Sequence, residues 1–280
     1  MTKPRIIQEL LVTTVPTMIV AARGMPSLWL IAATLLGGTL AAGGAHAFNM
    51  YVDRDIDGVM KRTRHRPLVT GEVTPGAAFR FALAIEVIAF AWLWAFVNLL
   101  SAVLAVSACL FYVFVYSMWL KRSSTSNIVI GGAAGAVPVL VGWAAVRDSL
   151  DWAPVVLFAV IFYWTPPHFW ALAIRYRDDY AAADVPMLPV RASFERTALR
   201  MLLYTIALWA LTLLFWPVAE MGWLYGGVAL ALGALFTAMV VGLLRRPTPR
   251  LAMRVFSSSI TYLTLLFVAI AADQLLRSGW

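Results

Sequence analysis

Apolar stretches long enough to cross a bilayer recur along this chain, separated by short polar breaks. Nine crossings are predicted, at residues 6–22, 27–48, 77–99, 102–119, 127–146, 153–174, 199–217, 221–243 and 255–276. Each is close to the roughly 20 residues that a membrane helix needs. The fold class that follows is all-α: a polytopic bundle of nine transmembrane helices, forming a single domain over residues 1–280. The first stretch is the weakest, because Gln8, Glu9 and Pro16 interrupt it. With Lys3 and Arg5 ahead of it, it also fits a signal peptide, but no clear small-residue cleavage site precedes Arg23, so it is read as a retained helix.

Charge placement tests the helix count. When the loops are assigned alternately to two sides, 19 of the 22 Lys and Arg fall on one side. Only Arg23, Arg147 and Arg277 fall on the other. The positive-inside rule then places the N-terminus in the cytoplasm and the C-terminus outside. Composition agrees with a lipid setting: 62% of residues are hydrophobic and the mean hydropathy is +0.81, whereas soluble domains are roughly half apolar. A net charge of +8 would point to nucleic acid in a soluble protein. Here it fits basic loops against the inner leaflet, so the lipid bilayer is the expected partner and nucleic acid is not. The single cysteine, Cys109, excludes an internal disulfide and any cysteine-based metal site, and reads as a small buried hydrophobe.

Chemistry gathers in two long loops on the basic side, about 50–76 and 175–198, after the second and sixth helices. In the first, Asn49, Asp53 and Asp57 are spaced four apart, which puts all three on one helical face. Lys61, Arg62, Arg64 and Arg66 follow. Carboxylate and amide oxygens suit a hard divalent cation, and the cations that follow suit a diphosphate. The second loop carries Asp178, Asp179 and Asp184. Any one of these acids could simply offset a neighbouring arginine in a solvated loop. Two clusters in matching positions favour a shared site. Lys121 and Arg122, in the next loop on the same side, serve either as positive-inside anchors or as part of the cradle.

Other features are less specific. The small residues Gly131-xxx-Gly135 and Gly222-xxx-Gly226 predict close helix packing. Trp164-Thr-Pro166-Pro167-His168-Phe-Trp170 places two prolines deep in an apolar run, where a break in the hydrogen-bond ladder could line a cavity. His168 could ligate a haem iron, act as a base or satisfy a freed carbonyl. His46 shares a face with Asn49, and Glu86 is an intramembrane carboxylate.

Together these motifs resemble the UbiA superfamily of intramembrane prenyltransferases over nearly the whole chain. The segments Trp164–Trp170 and Asp179-Tyr180…Pro186-Met-Leu-Pro189 are similar to its haem-modifying branch. The resemblance implies transfer of a farnesyl group from farnesyl diphosphate to a vinyl group of haem b, with addition of water, giving haem O. It implies Mg²⁺ as cofactor, held with the diphosphate by Asn49, Asp53, Asp57 and Asp179, with Asp178 as a further candidate ligand. Lys61, Arg62, Arg66, Lys121 and Arg122 would assist. His168, His46, Tyr116 and Tyr180 are the candidates for haem binding or acid–base steps. The family's second acidic motif is commonly Asp-xxx-Asp; here it is Asp179-xxxx-Asp184, which leaves the second metal's ligands open. The resemblance further implies a bacterial-type inner membrane and haem A synthase as recipient of the product. A sibling enzyme acting on a quinone precursor or chlorophyll-type ring shares the first motif. A transporter would use Glu86, His46 and His168 as a polar pathway, and a haem carrier would not need the aspartates. The gathering of charge at one membrane face favours the enzyme.

Overall fold

A computed structural model describes residues 4–279, with side chains from Val12 to Gly279. Every regular element among the described residues is helical. The long helices are α1 (Pro4–Ala22), α2 (Leu28–Val52), α3 (Pro75–Phe96), α4 (Leu99–Ser123), α5 (Asn127–Arg147), α6 (Trp152–Arg175), α7 (Phe194–Val218), α8 (Trp223–Arg245) and α9 (Pro249–Ser278). Eight of them, α2 to α9, are long and apolar enough to cross a membrane. Of α1, only Val12–Ala22 is described with side chains, and that stretch is apolar.

Local chemistry sets several helix starts. Ser27, Thr74, Asn98, Ser193 and Thr248 each accept a hydrogen bond from a backbone N–H three residues on, satisfying a donor that the first turn would otherwise leave unpaired. Pro75 and Pro249 occupy first-turn positions, where the missing N–H costs nothing. One buried apolar cluster joins α6 to α9 through Trp170, Phe215, Tyr225 and Phe267. A second joins α2, α3 and α4 through Ala41, Leu93 and Ala105.

Three local expectations change. The Pro166-Pro167 pair does not break α6, which runs unbroken through both. Neighbouring helices surround it, and the Thr165 hydroxyl donates to Ile161 O at 2.8 Å, supporting the ladder just before the prolines. The small-residue stripes mostly seat side chains, not a second backbone. A Cβ at Gly131 would strike the Tyr116 ring and one at Gly226 the Trp216 ring, while Gly135 faces open space. The close backbone approach lies elsewhere, at Gly142, where a Cβ would fall 2.8 Å from Thr14 O of α1. Finally, α2 ends at Val52, so Asn49, Asp53 and Asp57 do not ride one straight helix: Asp53 sits in a turn and Asp57 on the short helix Arg54–Val59. The backbone bonds Asp53 N to Asn49 O and Asp57 N to Asp53 O carry the spacing of four across that turn.

The second half of α4, Phe111–Leu120, is π-helical. Such wide turns are rare and recur at functional sites. Here residues five apart come into register, so the Ser117 hydroxyl donates to Tyr112 O at 3.0 Å.

Candidate functional site

The ends of α2, α4 and α6 carry the charged residues, and the loops fold them over one mouth. Asp53 is fully buried. Its Oδ2 accepts from Asn49 Nδ2 at 2.6 Å and pairs with Lys121 Nζ, while its Oδ1 has no hydrogen-bond partner among the described residues. Arg122 Nη2 lies 4.0 Å from that oxygen. The second amide hydrogen of Asn49 goes to Ser117 Oγ at 3.0 Å. Asp57, also buried, accepts from Arg66 Nη1 at 2.5 Å. The second acidic loop meets the first where Arg62 N donates to Asp179 Oδ2 at 3.4 Å, with the Arg62 guanidinium 5.7 Å from the Tyr176 ring centroid. Tyr180 is buried beneath, and that burial holds its phenol protonated, above the usual tyrosine range.

Below this mouth lies a cavity of about 460 Å³, within the range of small-molecule sites. Asn49, Asp57, Arg62, Arg66, Lys121, Tyr116 and Tyr180 line its polar end. Its apolar wall takes Ala45, Cys109, Gly38, Gly135 and Val141 from α2, α4 and α5. It takes Trp164, His168, Phe169, Phe256 and Leu263 from α6 and α9.

His168 is held on three sides. Trp164 and Phe256 stack on it at 4.2 and 4.5 Å, and Nδ1 lies 2.7 Å from Ser259 Oγ. The Ser259 hydroxyl gives its one hydrogen to Phe256 O at 2.6 Å. Nδ1 must therefore be the donor to Ser259, which leaves the lone pair on Nε2. His46 also lines the cavity, edge-on to Tyr112 at 6.2 Å.

Not every predicted residue joins the site. Lys61 is exposed and outside the cavity lining; Asp53 and Asp179 are outside it too, but they touch it through Lys121 and Arg62. Arg122 spends its guanidinium on Asp55, at 2.7 and 2.8 Å, and on Val52 O at 3.0 Å. It ties the end of α4 to the end of α2 rather than opening to the cavity. The same contact lowers the Asp55 carboxyl to about 2. Asp178 is exposed, and Asp184 turns away to Arg191 at 3.0 Å. Glu86 is buried behind α2 against Gly44, outside the lining. Sequence reasoning missed Ser117 and Asp55. A lone serine four residues before Lys121 in an apolar run was the available signal for Ser117.

The donors fit a hard cation. All are oxygens, and Asp53 Oδ1 is a buried acceptor without a hydrogen bond among the described residues. Among the described residues, no group of three or more His, Cys, Asp or Glu is placed to hold a metal ion. Mg²⁺ is usually held by one or two carboxylates, with water and substrate phosphates completing its shell.

The profile described as the UbiA prenyltransferase family matches residues 10–270. The chain is 52% identical to a protein named protoheme IX farnesyltransferase from Kineococcus radiotolerans, over 100% of this chain and 88% of that one. It is 55% identical to the protein of the same name from Parafrankia sp., over 98% and 88%. Among solved structures it is similar to a digeranylgeranylglyceryl phosphate synthase, with a TM-score of 0.79 at 15% identity over 99% of this chain and 100% of that one. It is also similar to a UbiA homologue from Archaeoglobus fulgidus bound to GPP and Mg²⁺, with a TM-score of 0.66 at 15% identity over 97% and 100%.

Proposed function

This chain belongs to the UbiA prenyltransferase family, and from that premise we propose that it converts haem b to haem O by farnesyl transfer. It is a multi-pass membrane enzyme. The observation that carries the assignment of the site is the convergence of both acidic loops, through Arg62 N and Asp179, over a cavity whose inner wall presents His168.

Farnesyl diphosphate would enter with its head at the mouth. Arg62, Arg66 and Lys121 line the polar end, so their positive charge would meet the diphosphate oxygens. Asn49, Asp53, Asp57 and Asp179 would hold Mg²⁺, as the magnesium in the Archaeoglobus homologue supports. When bound, the metal neutralises charge on the departing diphosphate. Asp53 and Asp57 are already paired with Lys121 and Arg66. Arrival of metal and diphosphate would let each carboxylate exchange a cationic side chain for the metal, and each cation exchange a carboxylate for the substrate. Ser117 fixes the Asn49 amide so that it does not turn away.

The reaction breaks the farnesyl C1–oxygen bond, and its electron pair leaves with the diphosphate. The terminal vinyl carbon of the haem bonds to C1. Water adds to the cation left on the adjacent carbon and loses a proton, giving the hydroxyethylfarnesyl chain. The apolar wall excludes bulk water from the farnesyl cation until the haem reacts. His168 Nε2, with its ring locked and Nδ1–H satisfied, would be the side chain to hold the haem iron.

The enzyme would sit in the bacterial inner membrane with its active face cytoplasmic, and hand haem O to haem A synthase. The test is incubation of the purified protein with haem b, farnesyl diphosphate and Mg²⁺, with mass detection of haem O. A metal-independent product, or none, overturns the reading.

A further inference from the structure

Of the four glycines that line the cavity, Gly38, Gly131, Gly132 and Gly135, two stand apart. A Cβ added at Gly37, Gly44, Gly131, Gly132 or Gly142 would fall within 3.0 Å of a neighbouring atom, so close packing explains each. A Cβ at Gly38 or Gly135 would meet nothing within 4 Å, and neither glycine has a positive φ. Glycine weakens a helix interior relative to alanine. At these two positions neither backbone conformation nor a tight contact calls for it. Both line the cavity, from α2 and α5 respectively.

Their depth is informative. Gly38 precedes Asn49 by 11 residues. That is about three helical turns, so the two share a face, with Gly38 about 16 Å further from the mouth. Gly135 lies eight residues into α5 from Asn127, or about 12 Å at the same rise. Chain attached to a diphosphate at the mouth reaches this depth only with its far end. The cavity continues beyond, to Thr34 and Val141.

We propose that Gly38 and Gly135 set the length of prenyl chain this enzyme accepts, by leaving open the space that the third isoprene unit fills. The inference rests on the farnesyl-transfer reading and adds which residues measure the chain. Side chains grown from these positions would enter the cavity, not the packing between helices, so they shorten it without separating its walls.

The test compares Gly38→Leu, Gly38→Ala and Gly135→Val with the parent enzyme. Binding of farnesyl and geranyl thiolodiphosphate, unreactive analogues of the two chain lengths, is measured alongside turnover of the diphosphates with haem b and Mg²⁺. Adding bulk to an apolar pocket changes discrimination by roughly 10-fold or more. Gly38→Leu and Gly135→Val are therefore expected to lose at least about 10-fold in farnesyl binding and kcat/KM. Geranyl binding should stay within about twofold, and Gly38→Ala should fall between. Parallel loss of both chain lengths, or loss of neither, overturns the proposal. Two variants on different helices guard against one that fails to fold. If the parent binds both analogues but forms no haem adduct, the farnesyl-transfer reading falls, and the binding ratio alone then decides the length claim by the same criterion.

Discussion

Asp53 combines full burial, one oxygen held by Asn49 and Lys121, and one oxygen with no hydrogen bond among the described residues. Asp53→Ala would leave the largely buried Lys121 cation unpaired, a loss of about 3–5 kcal/mol when a buried partner is removed. It would also empty the site, mixing stability with chemistry. Asp53→Asn keeps the shape and removes the charge. It is expected to lower kcat/KM by roughly 10²–10³ and to weaken the response to Mg²⁺, measured as product formed across a magnesium titration. For His168 the expectation is spectroscopic. Ser259→Ala removes the acceptor for Nδ1–H and frees the ring's tautomer, so haem affinity should fall by roughly 10–100-fold. The Soret band should shift in the same direction as in His168→Ala. An unchanged spectrum in both variants places the haem iron elsewhere. These residues differ in how legible they were. The spacing of Asn49, Asp53 and Asp57 stood out from sequence because helical periodicity is local. The tautomer of His168 did not, since it depends on Ser259, 91 residues away.

At the scale of elements, the apolar stretches were readable, but the helices capped by Thr74, Asn98, Ser193 and Thr248 begin two to six residues ahead of the predicted starts, because an apolar window does not register the capping residue ahead of it. The turn at Asp53 and the π-helical half of α4 were not readable, because both answer to tertiary demands. The turn lets Asp53 face Lys121 while Asp57 faces Arg66, and the wide helix brings Ser117 to Asn49. The strut from Arg122 to Asp55 locks these two ends together and gives a pH signature. Its folded-state carboxyl, at about 2, lies below the ordinary value of 3.8. A lowered pKa contributes stability above the unfolded value, lost as pH falls from about 4 to about 2. The parent's thermal midpoint should therefore fall more steeply than that of Asp55→Asn across this window, as scanned by intrinsic fluorescence in detergent. The shared seam of α1 and α5 is equally specific. At Gly142 a Cβ would lie 2.8 Å from a backbone oxygen, which cannot rotate away. Gly142→Ala should cost about 1–3 kcal/mol, read as a lower thermal midpoint with haem and farnesyl-analogue affinities largely kept.

For the whole molecule, loop charge predicts that both acidic loops face the cytoplasm, and packing does not alter that property of the sequence. The bundle brings those loops together at one end of the cavity, so the same prediction covers the whole mouth. The single cysteine makes this testable. Cys109 is buried and native, so it should label slowly. Ser149→Cys, in the exposed connection between α5 and α6, should react in intact cells with a maleimide that cannot cross membranes. Thr70→Cys, exposed beside the first acidic loop, should react only after the membrane is opened. The reverse pattern would put the diphosphate site on the outer face. It would also break the link between charge and chemistry, because the cations at the mouth would then have to be explained by catalysis alone, without the inner leaflet's attraction for them.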